Sequence, residues 1–412
     1  MNIENTIVFF HTGRFTGGDI MECFLVSKGK TYSTIKFNEY GGIKKVNCTP
    51  LSVARRDLSA THIGDYALFG GGRSGSSYYN TVNAYDTSLT RSTPTTLSVA
   101  RDSLSSTHIG NYALFGGGEY GSTIRYDTVD AYDTSLTRST PTALSVERSG
   151  LLATHVGNYA LFGGGVGTSY PYYKDTVDAY DTSLTMTTPT ALSAGRSDLS
   201  ATHIGNYALF GGGVGSYNDR VDAYDTSLTR STPTALSVER SSLSATHVGN
   251  YALFGGGYDS LRYDTVDAYD TSLTRSTLTA LSVKRAGLSA THIGDYALFG
   301  GGSGSSSTYK DTVDAYDTSL TRSTPTALSA ARSDLSATHV GNYALFGGGN
   351  GSSSYNTVDA YTVISSLNLS MYPGNKYKLN DMTEEVEVTE FNNITVSAPV
   401  NGYIKIKNST LS

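Results

Sequence analysis

Hydrophobic and polar positions alternate along this chain in short bursts that recur at a fixed interval. In Thr128–Asp133 (TVDAYD) apolar and polar residues take turns with period two, rich in β-branched and aromatic types, as a half-buried strand requires. Ser103–Ile109 (SLSSTHI) and Tyr112–Gly118 (YALFGGG) flank Gly110-Asn111, a dipeptide suited to a tight reversal, and predict a hairpin. Thr137–Leu144 (TRSTPTAL) predicts a fourth strand, and Pro141, which has no N–H to give a ladder, places it at a sheet edge. No stretch carries a helical period.

The unit is written out seven times. YALFGGG begins at Tyr66 and again at Tyr112, Tyr159, Tyr207, Tyr251, Tyr296 and Tyr343, with spacings of 44 to 48 residues. Four antiparallel strands per unit, repeated without helices, predict an all-β fold: a seven-bladed β-propeller of four-stranded antiparallel blades, in which stacked blades bury faces that no single blade can bury. The expected division is an N-terminal β segment over 1–42, the propeller over 43–364, and a small β-sandwich-like domain over 365–412. The first segment predicts strands at 7–10, 23–28 and 33–37, and the two chain ends are expected to join in one accessory β domain. Its role is either that of a plug or cap, or that of an attachment module.

The units resemble the kelch family. The resemblance rests on an Arg such as Arg101 before the first strand, a strand ending in a glycine doublet such as Gly116-Gly117, and the spaced Tyr of TVDAYD, over roughly 52–362. Kelch blades usually carry a Trp in the fourth strand, whereas this chain has no Trp, and Arg138 or Ser139 stands near that place.

Ring closure follows from counting strands. The last unit supplies first, second and third strands at Asp334–Val340, Tyr343–Gly349 and Thr357–Tyr361 and then lacks a TRSTPTAL copy. Lys45–Ser52 (KVNCTPLS) mimics the missing piece, with Pro50 expected at the proline position, and is predicted to complete the seventh blade. A competing count takes 1–50 as a degenerate eighth blade.

The copies diverge in two places: the loop after the glycines and the junction after the fourth strand, seen at Arg56-Asp57, Asp102-Ser103, Glu147, Gly195, Glu239, Lys284 to Ala286 and Ala331. Alternating strand direction puts both sets on one face of the ring. The loops are built of Tyr, Ser, Gly and Asn, a composition that suits binding because Tyr offers rigid amphipathic area and small residues offer adaptable hydrogen bonding. The candidate ligand-binding residues are Tyr78, Tyr79, Tyr120, Tyr170, Tyr172, Tyr173, Tyr217, Tyr258, Tyr309 and Tyr355. Neutral drift of surface loops is the competing explanation.

Charge and chemistry narrow the function classes. The net charge of −6 offers no basic face for nucleic acid. The two cysteines, Cys23 and Cys48, have no motif spacing, and no apolar run is long enough to span a membrane. His62, His108, His155, His203, His247, His292 and His339 occupy equivalent places near the constant turn and are expected to be far apart in structural hydrogen-bonding roles, so neither a metal nor a cofactor is expected. Arg55, Arg101, Arg148, Arg196, Arg240, Arg285 and Arg332 are expected to bond carbonyls between blades, with anion binding around the channel as the alternative. Asp133 and its equivalents are expected to cap turns.

The kelch resemblance permits oxidase or mutarotase activity, but a Cys–Tyr copper site needs a cysteine within the repeated units, and both cysteines lie outside them; Glu119, Lys174, Asp219, Arg220, Asp259, Arg262 and Lys310 break the symmetry mostly at exposed loop positions without forming an acid–base pair. The expectation is a non-catalytic recognition module for a cell-surface glycan or protein. The repeats also resemble kelch-like proteins of Gram-positive bacteria and their phages, which implies a virion protein, tail-associated and receptor-binding, touching other virion proteins through its terminal β domain. With no signal-like N-terminus, it is expected to be cytoplasmic when made and virion-borne or extracellular after lysis. A cytoplasmic interaction scaffold and a sugar-modifying enzyme are the alternatives.

Overall fold

The computed structural model describes 42–363, without 122, 216–217 and 306–307. Beyond that range it describes only the strands Thr6–Phe10, Ile20–Ser27, Lys30–Asn38, Ser366–Leu369, Lys376–Tyr377, Val386–Glu387, Ile394–Ser397 and Lys405–Ile406. Two compact units emerge: 45–362, and a second one of 1–44 with 363–412. In the second, Thr6–Phe10 pairs antiparallel with Ile20–Ser27 and also with Lys405–Ile406, so strands from both ends of the chain share one sheet. Whether the tail forms a β-sandwich, and how 1–42 bears on an eighth blade, lie outside the described residues.

The first unit is a ring of seven four-stranded antiparallel blades, a β-propeller. In blade 2 the strands are a (Ser105–Ile109), b (Tyr112–Gly116), c (Val129–Asp133) and d (Arg138–Ser139). Ile109 pairs with Tyr112 across Gly110-Asn111, and Gly110 takes the left-handed φ of 52° that this reversal demands. Strand d is outermost, as Pro141 requires, and shorter than expected, ending before the proline. Asp133 Oδ1 accepts from the backbone N–H groups of Ser135 and Thr137, both at 2.9 Å, which holds the c–d turn.

The core lies between blades. Ile109, Leu114, Val129, Ala131 and Leu144 of blade 2 pack against Leu151, Ala160, Phe162 and Tyr180 of blade 3, where the two rings meet edge to face at 5.9 Å. Tyr180 Oη donates to Thr142 O at 2.7 Å, tying strand c of one blade to the outer edge of the one before. The first glycine of each triplet serves this stacking: a Cβ on Gly116 would stand 2.8 Å from Cε1 of Phe162.

The seventh blade is assembled from both ends of the ring. Its strands Ser336–Val340, Tyr343–Gly347 and Val358–Val363 are completed by Ile43–Val46. Lys45 reaches Asp359 at 3.6 Å much as Arg138 reaches Asp130, and Leu51 N donates to Asn356 O as Leu97 N does to Asn80 O. Those anchors set the register and correct one expectation: Pro50 does not take the proline position. Leu97 follows Pro94 by three residues, so Cys48 stands in that place and Pro50 falls two residues later.

Candidate functional site: the variable face and the channel

Each variable loop is tied to the junction that precedes its blade. Arg56 and Arg73 exchange two backbone hydrogen bonds of 2.9 Å, Asp102 and Glu119 do the same at 3.0 and 2.9 Å, and Ser149–Val166, Ser241–Tyr258, Ala286–Ser303 and Ser333–Asn350 repeat the contact. The two divergent sets therefore form one surface.

At the centre of that surface the blades are stitched by a closed circle of backbone hydrogen bonds. Ser103 N donates to Asp57 O, Gly150 N to Ser103 O and Asp198 N to Gly150 O, and the series runs on through Ser242, Gly287 and Asp334 back to Asp57. All seven residues have positive φ, from 51° to 62°, which suits glycine at 150 and 287 and the short polar side chains elsewhere. The circle places Asp57, Asp198 and Asp334 around the axis.

Arg73 Nε bridges Asp57 at 3.0 Å and Asp102 at 2.5 Å. Burial, followed by the negative charge of Asp57, pushes the Asp102 carboxyl up to about 7, and Asp198 and Asp334 are also raised by burial. Proximity to Glu119 contributes at Asp102 and Asp198. An acidic centre thus forms from junction residues whose divergence was visible in sequence, although only their convergence gives them a common site.

The candidate tyrosines divide by setting. Tyr170 and Tyr172 of blade 3 are 87% and 59% exposed and meet edge to face at 6.2 Å; Tyr173 beside them is exposed too. Tyr78 and Tyr120, from neighbouring blades, lie with ring centres 4.5 Å apart. Tyr258 is exposed beneath the guanidinium of Arg262 at 5.6 Å. Tyr309 Oη accepts from Asn350 Nδ2 at 3.2 Å, linking blades 6 and 7. Tyr79 and Tyr355 are half-buried struts: the N–H of Tyr79 bonds Gly72 O and its carbonyl takes the N–H of Arg101, and Tyr355 does likewise with Gly349 and Arg55. Tyr217 lies outside the described residues.

The histidines overturn the expectation of far-separated groups. Each imidazole packs against both neighbours with ring centres 4.0 to 4.3 Å apart and planes tilted by 43 to 54°, from His62 through His108, His155, His203, His247 and His292 to His339 and back to His62. Among the described residues no hydrogen bond to the rest of the protein accompanies this packing, so the expected hydrogen-bonding role is replaced by ring-on-ring contact. The reason is convergence: strand a is innermost, and one equivalent position per blade meets its copies at the axis. Burial lowers these side chains, His108 and His339 to about 4 and His203 to about 3, so the belt is neutral at pH 7. Among the described residues no three His, Cys, Asp or Glu side chains are arranged to hold a metal ion.

The repeated arginines do not reach the channel. Each is fully buried; Arg101 Nη2 bonds Phe115 O at 3.1 Å, a carbonyl of its own blade and not of a neighbour as expected, and, unforeseen in sequence, the Asp130 carboxylate at 2.8 Å. Arg148–Asp178, Arg196–Asp222, Arg240–Asp267, Arg285–Asp314 and Arg332–Asp359 repeat the pair at 2.5 to 2.8 Å. Asp130 accepts further from Ser98 N and Oγ, both at 3.1 Å, so the buried charge joins the link between blades to strand c. Blade 1 departs from this scheme, with Asn83 in place of the aspartate.

A seven-bladed β-propeller with repeated four-stranded blades is consistent with the kelch-like resemblance and, in general, with a binding module. Among known proteins, no family model matches the chain and no curated protein matches its sequence.

Proposed function

We propose that the protein is a non-catalytic recognition module that binds a glycan on its variable face. One observation carries this reading: the large apolar side chains exposed among the described residues, Tyr120, Ile124, Tyr170, Tyr172, Tyr173, Tyr258 and Leu261, all belong to the variable loops of blades 2, 3 and 5. Random drift has no reason to confine them to one face. Tyrosine rings stack on the C–H faces of sugars, and carboxylates such as those of Asp57 and Asp334 accept from sugar hydroxyls. The same acidic centre disfavours phosphate-rich ligands such as nucleic acid.

The resemblance to kelch-like phage proteins supports placing this activity on a virion, tail-associated and exposed to the host surface after lysis, with the terminal β strands as the attachment to other virion proteins. A glycan array probed with the full chain tests the reading. Binding is expected, and Tyr170→Ala with Tyr172→Ala should weaken it at least tenfold, as should Tyr258→Ala to a lesser degree. Undiminished binding by both the double variant and Tyr258→Ala would refute the face assignment. Capture of a protein and no glycan would favour a scaffold.

A further inference from the structure

We propose that the joint between blades 7 and 1 holds a binding site for a small oxyanion, a carboxylate or phosphate group, centred on Arg91. Three breaks in the sevenfold pattern converge there. First, the buried aspartate is replaced by Asn83. In blades 2, 5 and 6 the aspartate balances two arginines, the buried one and a second from strand d: Arg138, Arg275 and Arg322 reach it at 3.1, 2.9 and 2.9 Å. In blade 1 Arg55 Nη2 meets only the Asn83 amide oxygen, at 3.1 Å, and the Phe69 carbonyl. Arg91, at the strand-d position, donates to Pro50 O at 2.6 Å and has no carboxylate partner. Neither guanidinium therefore has the carboxylate that the equivalent arginine pairs of blades 2, 5 and 6 share.

Second, the tyrosine hydroxyl that ties each blade to the preceding outer edge has lost its acceptor. Tyr132, Tyr180, Tyr224, Tyr269, Tyr316 and Tyr361 donate to a threonine carbonyl at 2.7 to 2.9 Å, whereas Tyr85 Oη is buried without a partner. Tyr85 lies within electrostatic reach of Cys48 and Arg91.

Third, a cleft of about 720 Å³ opens beside the closing strand. Arg91 lines it together with Asn47, Cys48, Thr49, Ser88 and Thr90. Ser88 Oγ already donates to Asp86 Oδ1 at 2.6 Å and meets Thr90 Oγ1 at 3.0 Å, so the donors left beside the uncompensated guanidinium are the Asn47 amide and the Thr49 hydroxyl, groups of the kind that recognise oxyanions. Burial lowers Arg55 to about 10, yet it still carries its charge at neutral pH and adds to the positive field. Burial also pushes the Cys48 thiol up to about 12, so it enters as a neutral group and not as a competing thiolate.

Asn83→Asp restores the carboxylate of the other blades and cancels the charge without emptying the cleft. Arg91→Gln removes the donor. Equilibrium dialysis of the full chain against radiolabelled inorganic phosphate, at constant ionic strength and pH 7.5, with folding of each variant checked by circular dichroism, should give one phosphate per wild-type chain and at least tenfold weaker binding by both variants. Displacement by acetate would assign the site to carboxylates, and resistance to acetate would assign it to phosphate groups. No binding by the wild-type chain, or retention by either variant, overturns the proposal.

Discussion

The imidazoles of His62 and His339 meet with ring centres 4.0 Å apart across the joint between the first and last blades, which closes the imidazole belt at the junction that the chain does not bridge in sequence order. Their closeness is a consequence of ring closure. A propeller lacking one blade, or opened at this joint, would part them.

The belt makes the protein acid-sensitive. The folded-state values lie below the ordinary histidine value, about 4 for His108 and His339 and about 2 for His155 and His292. The unfolded chain therefore binds more protons as pH falls through about 6.5, and stability that is complete above about pH 7 drains away toward the folded-state values. Each histidine contributes about 1 kcal/mol per pH unit in that window. Thermal melting from pH 8 to pH 5 should show a steep fall in Tm, less steep for His155→Gln, and a flat profile would contradict the belt.

Asp130→Asn leaves Arg101 buried opposite a neutral group. Loss of one partner of a buried pair costs about 3–5 kcal/mol, so chemical denaturation should show a large loss of stability. Arg138→Gln, which removes the partly exposed partner of the same aspartate, should cost about 1 kcal/mol or less.

Gly116→Ala forces a methyl against the Phe162 ring of the next blade, and overpacking of this kind costs about 1–3 kcal/mol. Gly117→Ala should be worse, because Gly117 has φ of 68° and its added methyl would stand 2.7 Å from the backbone oxygen of Arg148. A Phe162→Leu change made together with Gly116→Ala should recover part of the loss in urea melts; no recovery would place the cause elsewhere.

Deletion of 43–50 removes the outer strand of blade 7 and leaves Val358–Val363 as an open edge. Tm should fall sharply, and an unchanged melting curve would mean that the ring does not depend on this strand.

Much of the architecture was legible because a repeated sequence repeats its hydrogen-bonding pattern: the four strands, the Gly-Asn reversal, the turn held by Asp133 and the completion of blade 7 from Lys45 onward all follow from period, turn chemistry and strand count. The divergence of the loop and junction residues was legible too, because copies in one chain can be compared position by position. Tertiary structure decided what those positions meet. Seven histidines separated by more than forty residues become neighbours because strand a lines the axis, and Arg101 finds Asp130 because both are driven to the same buried seam. Pro50 misled for a related reason: a short motif suggests a register, but the anchors of Leu51 and Lys45 on the far end of the chain set it. Local sequence determines which strands form; the packing of one blade on the next determines which of their side chains share a site.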